Sequence, residues 1–292
     1  MNIIFRDFII ILFVIIIIYY YNNIYEQFTN ENYIISIYSP IAGFGFGDYI
    51  RGLIYLYQKT DKKIIADYRT HIISNFLYND LIDEYPIYND NYVIKLEETI
   101  DNNNKIIISH NNIFNDSNNH YIITNFFYEN NLISQDIINN IKKTFTMKPE
   151  FKLKFENKLD EYNLNSDFVA LHIRLDDKYF KDDDINLPYF GKLYYFIDNT
   201  FSSNDKIFIL SNCKKIKDQI CDKYKFIIQY PIKPIHTIDD SNNILDMENT
   251  LIEFFTLSRA NKIYYFCDND WQISGFSKRI SEMYQIEYIQ IK

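Results

Sequence analysis

The segment FVALHIRLDDK, Phe168 to Lys178, decides the fold. Its first six residues are apolar apart from His172, and so short a run, closing on charged residues, reads as a buried strand. The period of two along a strand puts His172 and Arg174 on the same face. Downstream the pattern alternates: helix Tyr189 to Phe201, strand Lys206 to Ser211, helix Lys214 to Tyr224, strand Phe226 to Tyr230, helix Glu248 to Ala260, strand Lys262 to Phe266 and helix Ser274 to Tyr284. Strands separated by helices of this length predict βαβ units and a parallel sheet. Ligands of such open sheets bind beyond the carboxyl ends of the strands, which is where Arg174 emerges.

Upstream the same logic applies more weakly. Tyr33 to Tyr38 reads as a strand, Gly43 to Gly47 as a tight loop and Asp48 to Gln58 as a helix with Leu53, Leu56 and Tyr57 on its apolar face. Ile64 to Tyr68, Lys105 to Ser109 and Tyr121 to Phe127 are further runs of strand length, separated by Asn and Asp clusters. Helices follow over Ser134 to Phe145, with Ser134 as N-cap, and over Phe151 to Tyr162, with Pro149 marking a boundary. The expectation is an α/β protein of two Rossmann-like lobes facing a cleft, residues 26–147 and 148–292, preceded by a membrane helix within residues 1–25.

That helix rests on Phe8 to Tyr21, FIIILFVIIIIYYY, with Arg6 at one membrane interface and Tyr19 to Tyr21 as an aromatic belt at the other. No small-residue cleavage site follows, since the next residues are Asn22, Asn23, Ile24, Tyr25 and Glu26, so an uncleaved single-pass anchor is favoured over a signal peptide. A buried first helix is the other reading. The 292 residues, 47% of them hydrophobic, supply ample core. A net charge of -9 argues against a nucleic-acid interface, though a few placed cations can still hold one anionic ligand. Cys213, Cys221 and Cys267 form no CxxC and have no His at metal-ligand spacing, so no metal site is expected and three buried thiols are favoured over a disulfide.

Three motifs carry chemistry. Gly43-Phe44-Gly45-Phe46-Gly47-Asp48 holds three of the chain's 6 glycines and leads into a helix bearing Arg51; it serves either as a tight turn or as a loop offering amides and a cation to a phosphate or sugar. His172 and Arg174 sit at a strand end, where a planar guanidinium suits a diphosphate; a salt bridge from Arg174 to Asp177 is the bland alternative. Ser274-Gly275-Phe276-Ser277-Lys278-Arg279 opens a helix whose free N–H groups and dipole favour an anion, as in many helices that bind nothing.

Together these motifs resemble a family, the GDP-fucose-dependent fucosyltransferases of the α-1,6 and nodulation kinds. HIRLDDK, His172 to Lys178, matches their H-x-R-x-x-D-K arrangement; GFGDYIRGL resembles their Gly-rich first loop, and EFFTLSRANKIYYF with SGFSKR resembles their nucleotide-binding segment. The resemblance covers Tyr33 to Tyr284. It implies a GT-B fold with the acceptor on the amino-terminal lobe and GDP-fucose, or another GDP-sugar, on the carboxyl-terminal one. By position it places Arg174 on the β-phosphate, His172 and Glu253 near the guanine, and Ser277 with Ser274, Gly275 and Phe276 on the phosphates. Gly45, Gly47, Asp48, Arg51, Asp177 and Lys178 join this binding set, and Asp182 falls where the α-1,6 enzymes have their catalytic carboxylate. Leu175 replaces a second Arg, and Glu253 stands where an Asp is common.

The activity so implied is inverting, metal-independent transfer of fucose to a glycan hydroxyl, with no cofactor. With the anchor of residues 1–25, the expectation is a single-pass, type II membrane protein of the secretory pathway or of an equivalent viral or protist membrane. Two alternatives stay open: a non-catalytic sugar-nucleotide-binding or scaffold protein, and a Mn²⁺-dependent GT-A transferase using Asp182 to Asp184 as a D-x-D site.

Overall fold

Runs of Ile and Tyr on either side of the Gly-rich loop set up the first sheet. In the computed structural model, which describes residues 12–16, 19, 32–40, 43–78, 82, 85, 93–96, 98–100, 106–108, 111–114, 119–126, 133–176, 190–232, 235, 237, 243–267 and 274–291, strands β1 (Tyr33–Ile37) and β2 (Lys63–Asp67) pair in parallel, Ile34 opposite Ile64. Helix α1 (Phe46–Lys59) connects them. It begins two residues before the expected Asp48, because the extended Gly45 already serves as its N-cap.

Strands β3 (Leu77–Tyr78), β4 (Val93–Lys95), β5 (Glu98–Ile100), β6 (Ile106–Ile108) and β7 (His120–Ile123) follow. The first sheet runs β2-β1-β7-β4, all parallel. The run around Lys105 to Ser109 does contain a strand, but β6 pairs antiparallel with β5 in a separate hairpin, and the short β4 takes the place beside β7. Helices α2 (Gln135–Thr144) and α3 (Pro149–Glu161) come next, separated by β8 (Thr146–Met147), which pairs with β3. Ser134 caps α2, its hydroxyl accepting from the Ile137 N–H at 3.3 Å.

The second sheet is built from β9 (Val169–Arg174), β10 (Ile207–Ser211), β11 (Ile227–Ile228), β12 (Lys262–Cys267) and β13 (Glu287–Gln290), interleaved with α4 (Gly191–Thr200), α5 (Lys214–Lys223), α6 (Ile244–Leu257) and α7 (Gly275–Tyr284). Its order is β11-β10-β9-β12-β13, all parallel. The chain reverses its direction of winding between β9 and β12, so the switch point of this sheet lies at their carboxyl ends. Helix α6 starts four residues before the expected Glu248. Asn243 caps it, and the first turn exposes Ile244 and Leu245, so the apolar stripe begins only at Met247.

Alternation along β9 divides the interior. Ala170, with Phe168, joins a core shared with the first sheet, α1, α3 and α6; Leu171, Ile173 and Leu175 join a second core under α4 and α5. The first core is continuous from Ile34 and Ile35 of β1 to Phe254, Phe255 and Ile280 of α6 and α7. At its centre Phe46 stacks edge-on against Phe145 and Phe254, ring centroids 5.0 and 5.1 Å away.

The three cysteines are free thiols, Cys213 and Cys267 buried as expected and Cys221 half-buried. Of the expected anchor, only residues 12–16 and 19 are described; Leu12 to Ile16 are helical and exposed, which argues against burial of that stretch in the core. No helix among the described residues is long and apolar enough to cross a membrane.

Candidate functional site

The switch point gathers the second and third motifs. His172 lies opposite Tyr265 and Arg174 opposite Cys267 in the β9–β12 register. Buried His172 points at the start of α7, its Nδ1 2.6 Å from Ser277 Oγ, and Ser277 Oγ is in turn 3.3 Å from the Tyr288 hydroxyl. Rings of Tyr265 and Phe276 flank the imidazole at 5.6 and 6.1 Å. Burial, and secondarily the Arg174 charge, push the imidazole down to about 3, so it is neutral at physiological pH. Among the described residues Nδ1 is the ring nitrogen with a partner.

Helix α7 opens here. Its N-cap Ser274 makes no side-chain cap; instead its N–H donates to the Tyr265 hydroxyl at 3.0 Å. The N–H groups of the first turn have no intrahelical acceptor, which is the physical basis of an anion site at a helix start.

Helix α1 starts against the same point. A Cβ placed on Gly47 would lie 2.5 Å from the Gly275 carbonyl oxygen and 2.6 Å from the Phe276 nitrogen. Glycine at Gly47 is therefore required by close backbone approach, not by a positive φ, and the partner of the first motif is the third. Two helix amino termini thus converge, each carrying a partial positive charge. Asp48 and Arg51 lie beside them: Arg51 Nη1 is 3.3 Å from Asp48 Oδ1, and Arg51 Nε donates to the Asn125 carbonyl at 2.6 Å. Thr237 closes the junction, its hydroxyl accepting from the Phe46 N–H at 2.8 Å and its carbonyl from Tyr38 Oη at 3.2 Å, with His71 Nε2 3.1 Å from the same carbonyl.

Arg174, half-buried at the end of β9, donates from Nη1 to the Leu175 carbonyl at 2.7 Å. Leu175 itself is fully buried in the second core, on the face of β9 away from Arg174. Glu253 lies at a buried position of α6, where Lys217 Nζ meets its Oε1 at 2.9 Å and also donates to the carbonyls of Tyr230 and Ile232 at 3.4 and 3.2 Å. Burial holds the Glu253 carboxyl above its ordinary value, and Lys217 opposes that rise.

The geometry thus brings His172, Gly275, Phe276 and Ser277 together with Gly45, Gly47 and Asp48, residues far apart in sequence. Asp177, Lys178 and Asp182 to Asp184 lie outside the described residues. No metal-binding cluster of His, Cys, Asp or Glu occurs among the described residues. Sequence reasoning missed Lys217, Asn212 and Thr237. Lys217 had a signal: Ile216 and Ile220 mark the buried face of α5, and Lys217 falls on it three residues before Ile220.

Comparison with known proteins bears on the fold. No family model matches the chain, and no curated protein matches it in sequence. Among solved structures it is similar to NodZ alpha-1,6-fucosyltransferase from Bradyrhizobium, with 14% identity and a TM-score of 0.51 over 86% of this chain and 91% of that one. NodZ soaked with GDP-fucose matches at 12% identity and a TM-score of 0.50 over 87% and 92%. A mutant of Arabidopsis thaliana FUT1 in complex with GDP matches at 12% identity and 0.50 over 92% and 74%, and POFUT1 in complex with GDP-fucose at 9% and 0.50 over 90% and 98%. The likeness to these fucosyltransferases is one of fold, and it spans nearly the whole chain.

Proposed function

We propose that the chain is a glycosyltransferase of the fucosyltransferase kind, which binds a GDP-sugar at the carboxyl ends of β9 and β12 and transfers fucose to a glycan hydroxyl. The observation that carries this reading is the convergence of His172 and the amino termini of α1 and α7 at the switch point of a sheet, where Arg174 ends β9, in a fucosyltransferase-like fold. Structures of that fold hold GDP or GDP-fucose, and an always-charged guanidinium at the carboxyl end of a strand at the switch point suits a diphosphate.

In the proposed reaction the acceptor oxygen attacks the anomeric carbon and the bond from that carbon to the diphosphate oxygen breaks. Asp182 takes the hydroxyl proton, and Arg174 stabilises the negative charge that develops on departing GDP. A single in-line displacement inverts the configuration, and no step calls for a metal. Neutral His172 cannot supply a proton by losing a charge; it serves as a hydrogen-bonding wall of the nucleotide pocket, held by Ser277. Glu253, whose carboxylate is buried against Lys217, would support the base side of the pocket from within α6.

Measuring GDP release with a panel of GDP-sugars tests this reading. GDP-fucose should be the preferred donor, turnover should survive a chelator, and Arg174→Ala should abolish it, with Arg174→Lys restoring little because a point charge lacks the fork. Asp182→Asn should lower turnover by roughly 10²- to 10⁴-fold with GDP affinity nearly unchanged. Strict Mn²⁺ dependence would move the assignment to Asp182 to Asp184 as a D-x-D site. A second reading, a sugar-nucleotide binder without catalysis, is favoured by Leu175, since a side chain packed in the second core replaces a cation; GDP binding without turnover of any donor would select it. The segment 1–25 is proposed as a single-pass anchor holding the body at a membrane of the secretory pathway or its viral or protist equivalent. Its removal should leave a soluble protein with unchanged nucleotide affinity.

A further inference from the structure

The β9–β10 ladder ends at the pair Ile173 and Ser211, one residue short of Arg174. Beyond it β10 turns into α5, and Asn212 occupies the corner, 4% exposed. Its side chain continues the ladder that the backbone has left. Oδ1 accepts from the Leu175 N–H at 2.8 Å, and Nδ2 donates to the Leu175 carbonyl at 2.9 Å and to the Asp176 carbonyl at 3.2 Å. A carboxamide can do this because it carries one acceptor and two donors in a plane, like a peptide group.

The same Leu175 carbonyl receives Arg174 Nη1. One oxygen therefore collects both the Asn212 amide and the guanidinium, while the Leu175 side chain is sunk in the second core and fixes the peptide from the other side. We propose that Asn212 is the positioning residue for Arg174, acting through the backbone of Leu175. It touches no substrate. It holds the carbonyl against which the guanidinium is braced. The inference rests on the reading of Arg174 as the diphosphate-binding cation, but its geometry stands apart from that reading.

Two measurements on the full chain test it. In a double-mutant cycle on GDP affinity, Asn212→Ala should weaken binding about tenfold in the wild-type background and have no further effect in Arg174→Ala, because its contribution passes through that side chain. An equal loss in both backgrounds would make Asn212 a general structural residue and overturn the proposal. The second measurement needs no ligand: hydrogen exchange of the Leu175 amide should speed up at least about tenfold in Asn212→Ala, while Ile209 and Phe266 in the adjoining strands keep their protection. Unchanged exchange at Leu175 would overturn the proposal. Should wild-type protein bind no GDP, the proposed function fails while the exchange result still decides the role of Asn212. If Asn212→Ala does not fold, Asn212→Ser, which leaves a hydroxyl at the corner, is measured in its place with the same outcomes.

Discussion

His172 offers a quantitative check on the heart of the site. Its imidazole falls from an ordinary 6.5 in the unfolded chain to about 3 in the folded one, chiefly through burial. The folded state therefore binds fewer protons, so the residue's contribution to stability is fully present above pH 6.5 and is lost as the pH falls toward about 3. The gap from 6.5 to about 3 sets a ceiling of about 5 kcal/mol on this contribution. Between about pH 7.5 and about pH 5 the loss is about 2 kcal/mol, a window above most carboxylate titration. The perturbation is His172→Asn, whose amide sits near the position of Nδ1 and keeps a hydrogen bond to Ser277 but does not titrate. Urea unfolding of both proteins at the two pH values gives the answer. Wild type should lose about 2 kcal/mol more than the variant on acidification. Glu253 and Glu282, both held above their ordinary range mainly by burial, titrate with the opposite sign, their stabilisation being lost as pH rises, and they cancel in the difference. Equal pH slopes in the two proteins would refute the claim that this imidazole is buried and neutral.

Two further outcomes follow from packing. Gly47→Ala should destabilise by about 3 kcal/mol or more and weaken nucleotide binding, because its Cβ meets backbone of Gly275 and Phe276 that no side-chain rotation can clear; Gly43→Ala, at φ 71° with nothing within 4 Å, should cost only about 1–2 kcal/mol of left-handed strain. Comparable urea midpoints for these two variants would contradict the close approach of α1 to α7. Lys217→Met should cost about 3–5 kcal/mol by leaving the Glu253 carboxylate buried without its cation, and adding Glu253→Leu should recover most of the loss. A double variant as unstable as the single one would refute the pairing.

What the sequence disclosed depended on how local its signal was. The second sheet was legible because most of its strands are apolar runs closed by a helix, and among the described residues the strand missed there is β13, which follows α7 with polar Glu287 and Gln290 in its four residues. The first sheet was read less well. Its β4 is three residues of Val-Ile-Lys, too short for a periodic signal, whereas the longer run at Lys105 to Ser109 went to a hairpin. Within the site, His172 and Arg174 followed from strand periodicity and Ser277 from its helix start. Their meeting partners did not: the contact of Gly47 with Gly275 and the grip of Asn212 on Leu175 join segments that no local pattern relates. The apolar character of Leu175 reads in sequence as a lost cation and in the structure as a side chain on the core face of β9.

The core shared by the two sheets has a consequence for how the chain can be cut. Cleaved between Met147 and Lys148, the amino-terminal piece would carry Ile34, Ile35, Phe46 and Phe145 stripped of Phe254, Phe255 and Ile280, and the carboxyl-terminal piece the reverse. Neither fragment would have a finished interior, so each expressed alone should aggregate, while the two produced together should find one another and reconstitute a single particle.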